Sequence, residues 1–90
     1  MLIQKKKLKL IDAVKNGDIK NVRKLLANGA DVDATDDESK TALHWAALNE
    51  HVKVVKVLVE NRINVDVKNK NNETAAEIAL RWGYHQIPEE

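Results

Sequence analysis

The residues best suited to chemistry are three histidines, one serine and several carboxylates, and their spacing argues against a catalytic or metal site. No two of His44, His51 and His85 stand four residues apart, and no carboxylate completes a ligand set beside them. Ser39 has Asp36 and His44 as sequence neighbours, but the elements predicted below put Ser39 in a turn and His44 on an interior helix face. The absence of cysteine excludes thiol nucleophiles and zinc–thiolate sites. We therefore expect no enzyme, no cofactor and no metal ion.

Basic side chains are concentrated near the start of the chain, where residues 5–9 include four lysines. Such a cluster can contact phosphate or an acidic partner, or form part of a nuclear localisation signal. However, three aromatic residues are few for a nucleic-acid stacking platform, and the three glycines stand alone rather than in a phosphate-binding loop. The favoured interpretation is the polar outer face of a capping helix, so nucleic acid is an unlikely partner. No apolar run approaches the roughly 20 residues of a membrane span, and we expect no membrane partner.

Length and charge point to one small folded domain with a polarised surface. The chain has 90 residues, of which 43% are hydrophobic and 32% charged, as in a folded soluble protein. The net charge of +1 conceals a basic first third, at +6, an acidic middle third, at −4, and a last third at −1. The apolar run after the first lysines is broken by Asp12, so no secretory signal is expected. We expect an intracellular location, cytoplasmic or nuclear.

The chain repeats itself with a period of 33 residues. Residues 8–37 share nine identities in thirty pairs with residues 41–70, and the same shift carries Thr41-Ala42 onto Thr74-Ala75. Two nearly full units and the first half of a third are therefore present. A repeat of this length is one supersecondary unit that buries its apolar face by stacking on its neighbours.

Each unit is predicted to run helix, turn, helix and extended tip. In the middle unit, Thr41 caps a helix that continues through Leu48, residues 49–51 form the turn, and the second helix covers 52–60. The valines of that second helix favour a strand by propensity, but the matching segment of the first unit has a helical pattern with Asp18 as its cap. In the third unit, Thr74 and Glu77 match a capping box.

Three segments make the chain resemble the ankyrin repeat family. They are Ala13-Val14-Lys15-Asn16-Gly17-Asp18, residues 25–34, and Thr41-Ala42-Leu43-His44-Trp45-Ala46-Ala47, which carries the T-P-L-H-x-A signature with Ala42 for proline. The resemblance covers residues 8–87. Ser39 and Asn72 stand where the family usually has glycine, and Arg62 replaces Gly29 of the first unit. Positive φ at these positions strains a side chain, least so for Asn.

The fold class expected is all-α: an ankyrin-repeat helical solenoid of helix-turn-helix units with short extended fingers. Residues 1–90 form one domain, with an N-terminal capping repeat at 1–36, a central repeat at 37–69 and a partial C-terminal repeat at 70–90. The segment 2–16 is predicted to form the first helix and cap. Trp45 occupies an interior position of its repeat and is expected in the core.

The resemblance implies a non-enzymatic protein–protein interaction module that binds through its finger tips and the concave face of its first helices. Carried over residue by residue, the partner-binding positions are Thr35, Asp37, Glu38 and Lys40 in the first finger, Lys68, Lys70, Asn71 and Glu73 in the second, and Leu48, Asn49, Arg81 and Trp82 on the first helices, beside Lys15-Asn16.

The partner is expected to be a protein. The acidic first finger is interpreted either as a solvated loop or as a surface for a basic patch on that partner. Trp82 has two interpretations, a binding anchor or a cover for the end of the stack, and Leu48 is either a partner contact or a packing neighbour of the adjacent helix. The alternative function is a structural or regulatory ankyrin fragment of a longer protein that stacks on missing repeats or self-associates weakly.

Overall fold

The computed structural model describes the backbone of residues 2–81 and the side chains of residues 9–81. Five helices lie in this part of the chain: α1 (Leu2–Lys15), α2 (Ile19–Ala27), α3 (Ala42–Leu48), α4 (Val52–Glu60) and α5 (Ala75–Arg81). The described residues contain no strand beyond an isolated antiparallel bridge between Thr35 and Thr41. The predicted all-α class is therefore confirmed, and no helix among residues 2–81 is long and apolar enough to cross a membrane.

Three helices begin at the predicted capping residues. Asp18 accepts a hydrogen bond from the Asn21 amide at 3.2 Å at the start of α2, and Thr41 caps α3. At α5, the Thr74 amide donates to Glu77 Oε1 at 2.8 Å and the Glu77 amide donates to Thr74 Oγ1 at 3.2 Å. These bonds satisfy amides that a helix leaves without partners in its first turn.

Helix α4 forms despite the strand propensity of its valines. Val54, Val55, Val57 and Leu58 are all buried, and they lie on the side of the helix that packs against α3 and α2. Burial of these side chains in the repeat stack outweighs the weak local preference of valine for strands.

The helices form two layers. The inner helices α1, α3 and α5 pack side by side in sequence order, and the outer helices α2 and α4 pack on each other and on α1 and α3 respectively. The core between the layers includes Leu10, Val14, Val22, Leu43 and Leu58, which are almost fully buried.

Two extended fingers project from the helix pairs, finger 1 at residues 30–41 and finger 2 at residues 63–74. The Lys70 amide donates to the Glu38 carbonyl at 3.0 Å, and the Asn64 amide donates to Asp33 Oδ1 at 2.8 Å. These bonds hold finger 2 against finger 1, so that the two tips form one continuous surface.

Backbone positions with positive φ recur in pairs 33 residues apart. Ser39 and Asn72 have φ of 61° and 64°, and Arg62 has φ of 64° where the first unit has Gly29 at 91°. The conformation expected at these positions is confirmed. Glu50, at 57°, joins them in the place of Gly17 of the first unit, a position that the sequence did not single out.

Candidate functional site

The open face of the molecule, where the inner helices meet the fingers, is centred on Trp45. This residue lies on α3, half-buried, with its ring packed against the core. Its indole Nε1–H donates a hydrogen bond to Asp36 Oδ2 of finger 1 at 2.8 Å. The bond fixes the orientation of the ring and joins the finger to the helix.

Two lysine ammonium groups lie over the Trp45 ring. Lys15 Nζ, from the end of α1, is 4.3 Å from the ring centroid, and Lys40 Nζ, from finger 1, is 4.6 Å from it. Cations within about 6 Å of an indole face are attracted by its negative quadrupole. Lys40 also forms an ion pair with Glu38 at 3.1 Å. The ring is therefore enclosed by charged groups while part of it remains open to solvent.

The expectation that Trp45 belongs to the core is wrong in part. Its ring packs against the core but is only partly buried by the described residues. The repeat contained the signal for this. The residue 33 positions earlier is Asp12, which is exposed, whereas the residue 33 positions later is Ile78, which is buried. A position that accepts aspartate lies at the boundary between core and surface.

Asp36 organises the turn of finger 1. Its Oδ1 accepts hydrogen bonds from the amides of Glu38 at 2.9 Å and Lys40 at 3.0 Å. Burial raises the pKa of this carboxyl, but the amide of Lys40, the indole of Trp45, the amide of Glu38 and the Lys40 ammonium together hold the pKa below its ordinary value. Asp36 is therefore ionised at neutral pH, and its charge stabilises the turn.

Asn69 occupies the same place in finger 2 with different contacts. Its Oδ1 accepts from the amides of Asn71 at 2.9 Å and Glu73 at 3.0 Å, and its Nδ2 donates to Glu73 Oε1 at 3.2 Å. Arg81 of α5 forms an ion pair with the same Glu73 carboxylate. The turn of finger 2 is thus tied to the end of α5 through Glu73.

His44 links the middle unit to finger 2 from within the stack. Its Nδ1 accepts from the Thr41 amide at 3.0 Å, which leaves the proton on Nε2, and Nε2 donates to the Glu73 carbonyl at 2.9 Å. Burial lowers the pKa of His44, the Lys40 ammonium lowers it further, and these effects outweigh the Asp36 carboxylate and the Val67 carbonyl, which raise it. The imidazole is therefore neutral and acts as a structural bridge.

The finger tips bring together residues that the sequence predicted as contacts. Glu38 and Lys40 of finger 1 and Lys70 and Asn71 of finger 2, with Asn69 at the base, line an open cleft of about 230 Å³. Within the described residues, no group of His, Asp and Glu side chains is arranged to hold a metal ion. This face therefore combines a fixed aromatic ring, paired charges and a small polar cleft.

Residues 10–89 match the sequence pattern of three successive ankyrin repeats. The chain belongs to the ankyrin repeat family. Ankyrin repeats are in general protein–protein interaction modules. The predicted count of two full units and a partial third is consistent with this match.

Curated relatives carry the ankyrin segment within much longer chains. The chain is 36% identical over 76 residues to the palmitoyltransferase Hip14 of Drosophila melanogaster, a match that covers 83% of this chain and 12% of the relative. It is 35% identical over 72 residues to the human NAD-capped RNA hydrolase NUDT12, a match that covers 79% of this chain and 16% of the relative. It is 41% identical over 58 residues to the neurogenic locus notch homolog protein 1 of Xenopus laevis, a match that covers 64% of this chain and 2% of the relative.

The remaining predicted contact positions of the ankyrin units are distributed around the same face. Thr35, Asp37, Lys68 and Lys70 are exposed on the fingers. Leu48, at the end of α3, is 39% exposed, and this makes it available to a partner.

Two of the predicted first-helix positions make contacts within the stack, and one is not described. Asn49 is exposed, and its Nδ2 donates to the Lys15 carbonyl at 3.4 Å, close to the 3.3 Å contact of His51 Nε2 with the same carbonyl. Arg81 pairs with Glu73. Trp82, with both of its interpretations, lies outside the described residues, as do the side chains of residues 5–7. The first-unit position Lys15 contacts Trp45, which the sequence did not predict.

Proposed function

We propose that the chain binds a segment of a partner protein on its concave face, across the fingers and the inner helices. The observation that carries this proposal is the half-buried Trp45 ring, which is fixed by Asp36 and enclosed by Lys15 and Lys40 on an otherwise open face. Tryptophan is enriched among the residues that dominate binding energy at interfaces. A ring that is already fixed loses little conformational freedom when it is covered.

The charges at the finger tips suggest how the partner is oriented. Finger 1 carries five acidic residues and one lysine between residues 30 and 41, whereas finger 2 carries two acidic and two basic residues between 63 and 74. We propose that basic side chains of the partner lie opposite Asp37 and Glu38. Charges of this kind at the rim of an interface accelerate association and fix the register more than they raise affinity.

The proposal is tested with two double variants that differ only in the face they alter. The concave pair is Leu48→Glu with Lys70→Glu, and the outer pair is Val59→Glu with Lys24→Glu. Each pair replaces one partly exposed aliphatic residue and one exposed lysine. Proteins captured from lysate by the native chain are identified by quantitative mass spectrometry, and affinity is then measured with the purified partner.

We expect the concave pair to weaken binding of the purified partner by roughly tenfold or more, and the outer pair to leave it within about twofold. Circular dichroism and thermal unfolding confirm beforehand that both variants fold. Equal loss from the two pairs, or loss only from the outer pair, would contradict recognition through the concave face.

A second candidate function is a structural or regulatory ankyrin segment of a longer protein. It is favoured by the small share of each relative that the match covers, 12% of Hip14 and 16% of NUDT12. In that case the end units stack on neighbouring repeats, or on a second copy when these are lacking. The expected result is a melting temperature that rises with protein concentration; a constant melting temperature would argue against stacking on a second copy.

A further inference from the structure

The outer helices carry a set of cations that the concave face does not use. Lys20 and Arg23 on α2 and Lys53 and Lys56 on α4 are all exposed. The 33-residue repeat matches Lys20 with Lys53 and Arg23 with Lys56. We call these four residues the basic array.

The basic array has a regular geometry because it is built by the repeat. Residues three apart on a helix have Cβ atoms roughly 5–6 Å apart on one face, and packed helices lie about 8–10 Å apart. Since α2 packs against α4 and the neighbouring apolar side chains Val22, Val54 and Val55 are buried, the four cations project from the face opposite the stack. The array therefore consists of two pairs of cations, one on each of two adjacent helices.

None of these four cations forms an ion pair among the described side chains. Among the described side chains, the ion pairs that form join Lys40 to Glu38 and Arg81 to Glu73, and neither involves the array. Helix α2 contains Lys20, Arg23 and Lys24 and no acidic residue. The mutual repulsion of the four cations is therefore not offset by an ion pair among the described side chains, and an anionic ligand would reduce it.

Acidic residues border the array and limit the width of a ligand. Asp18 and Glu50 precede α2 and α4, and Glu60 ends α4; all three are exposed. A broad anionic surface, such as a bilayer or a nucleic-acid duplex, would approach these carboxylates together with the array. A single extended polypeptide that crosses the two helices between these borders avoids them.

We propose that the outer helices form a second interaction face, which binds an acidic polypeptide segment across the basic array. In a segment with polyproline II conformation, which has three residues per turn, carboxylates three residues apart lie on one side of the segment and roughly 9 Å apart, close to the separation of two packed helices. One carboxylate then lies at Lys20 and Arg23, and the next at Lys53 and Lys56. The ligand is a run of Asp or Glu residues in a partner protein, and the site is independent of the concave face.

The experiment measures binding of a fluorescent hexaglutamate peptide to the full chain by anisotropy, at about 20 mM and about 200 mM salt. The test variant is Lys53→Gln with Lys56→Gln. The matched control is Lys68→Gln with Lys70→Gln, which removes the same charge from finger 2. A third variant, Lys5→Gln with Lys6→Gln and Lys7→Gln, tests the lysines near the start of the chain. Circular dichroism verifies that each variant folds.

We expect the test variant to weaken peptide binding roughly tenfold at low salt. The finger 2 control and the third variant are each expected to weaken it by less than about threefold. Equal loss from the finger 2 control, or loss only from the third variant, would overturn the proposal, as would no binding of the peptide to the native chain. Tighter binding of phosphatidylserine vesicles or duplex DNA through the same two lysines would replace the acidic segment with that ligand. Self-association that the test variant abolishes would replace it with finger 1 of a second copy.

Discussion

The two fingers share one backbone and differ in how their side chains connect to the helices. Each finger is built on a side-chain oxygen that accepts two backbone amides, from Asp36 in finger 1 and from Asn69 in finger 2. Each contains a residue with positive φ three positions later, at Ser39 and Asn72. The turn geometry is therefore a property of the repeat and does not depend on the charge of the residue that organises it.

The two fingers differ in the second contact that Asp36 and Asn69 make with their side chains. Asp36 uses its second oxygen to accept from Trp45 Nε1 on α3, whereas Asn69 donates to Glu73 within its own finger. The residue that matches Trp45 in the third unit is the buried Ile78, which has no polar group to offer. The same repeat thus connects finger 1 to an aromatic ring on α3 and connects finger 2 to a carboxylate within the finger itself.

The largest effect is expected from removing the residues that organise the turns. Asp36→Ala removes the acceptor of three hydrogen bonds and is expected to lower the free energy of unfolding by about 2–3 kcal/mol. Asn69→Ala leaves two amides without their acceptor and is expected to cost about 1–2 kcal/mol. Urea unfolding monitored by circular dichroism measures both.

Asp36→Asn separates the turn from the connection to the helix. The asparagine keeps an oxygen for the two backbone amides but can place its NH₂ group against Trp45 Nε1–H. We therefore expect it to lower the free energy of unfolding by an amount between zero and the effect of Asp36→Ala. If Asp36→Ala and Asn69→Ala cost the same and Asp36→Asn costs nothing, the contact with Trp45 adds no stability and the contrast between the fingers is one of geometry alone.

A second difference lies in the caps of the helices that follow the fingers. The third residue of α3 is His44, which is buried, and the third residue of α5 is Glu77, which is exposed. Both accept a hydrogen bond from the capping threonine's amide. The Thr74 amide lowers the pKa of Glu77, burial opposes it, and the Thr74 hydroxyl and the Lys68 ammonium lower the pKa further, so that the pKa of Glu77 lies below its ordinary value.

His44 is expected to make stability depend on pH. Because the pKa of His44 is lowered in the folded state, the unfolded chain binds a proton at a higher pH than the folded chain does. The contribution of His44 to the free energy of unfolding is then fully present above about pH 6.5, the ordinary pKa of histidine. It is lost as the pH falls below that value. We expect the free energy of unfolding to fall by up to about 1.4 kcal/mol between about pH 7.5 and about pH 5.5.

Urea unfolding at both pH values measures the effect. His44→Gln can still cap α3, since glutamine serves at this position of a capping box, and is expected to flatten the dependence. Glu77→Gln is expected to retain it. A native-like dependence in His44→Gln would assign the titration to another group.

The 33-residue repeat made most of the fold predictable from the sequence. The prediction failed at Trp45, whose side chain is partly exposed. The caps at Asp18, Thr41 and Thr74 follow from local chemistry, and a comparison of units resolves the valines of α4, so sequence alone places these helices. Trp45 differs because its contacts come from Lys15 and Asp36, which lie in other elements and reach it only after the units stack. The strain at Glu50 was also missed, although its match to Gly17 carried the signal.

The smallest effect is expected at the positive-φ residues, where the fingers differ by one side chain. A left-handed conformation costs most residues about 1–2 kcal/mol, Asn tolerates it better than Ser, and glycine loses some of its advantage through greater freedom in the unfolded chain. Ser39→Gly is therefore expected to raise the free energy of unfolding by about 0.5 kcal/mol, and Asn72→Gly to change it by less.

Ser39→Asn sharpens this comparison because it places the finger 2 residue in finger 1. We expect it to stabilise the chain by a few tenths of a kcal/mol, in the same direction as Ser39→Gly, and matched urea midpoints determine the order of the variants. If both substitutions at Ser39 destabilise, the serine side chain contributes a contact of its own, and the two turns are less equivalent than their shared φ values of 61° and 64° indicate.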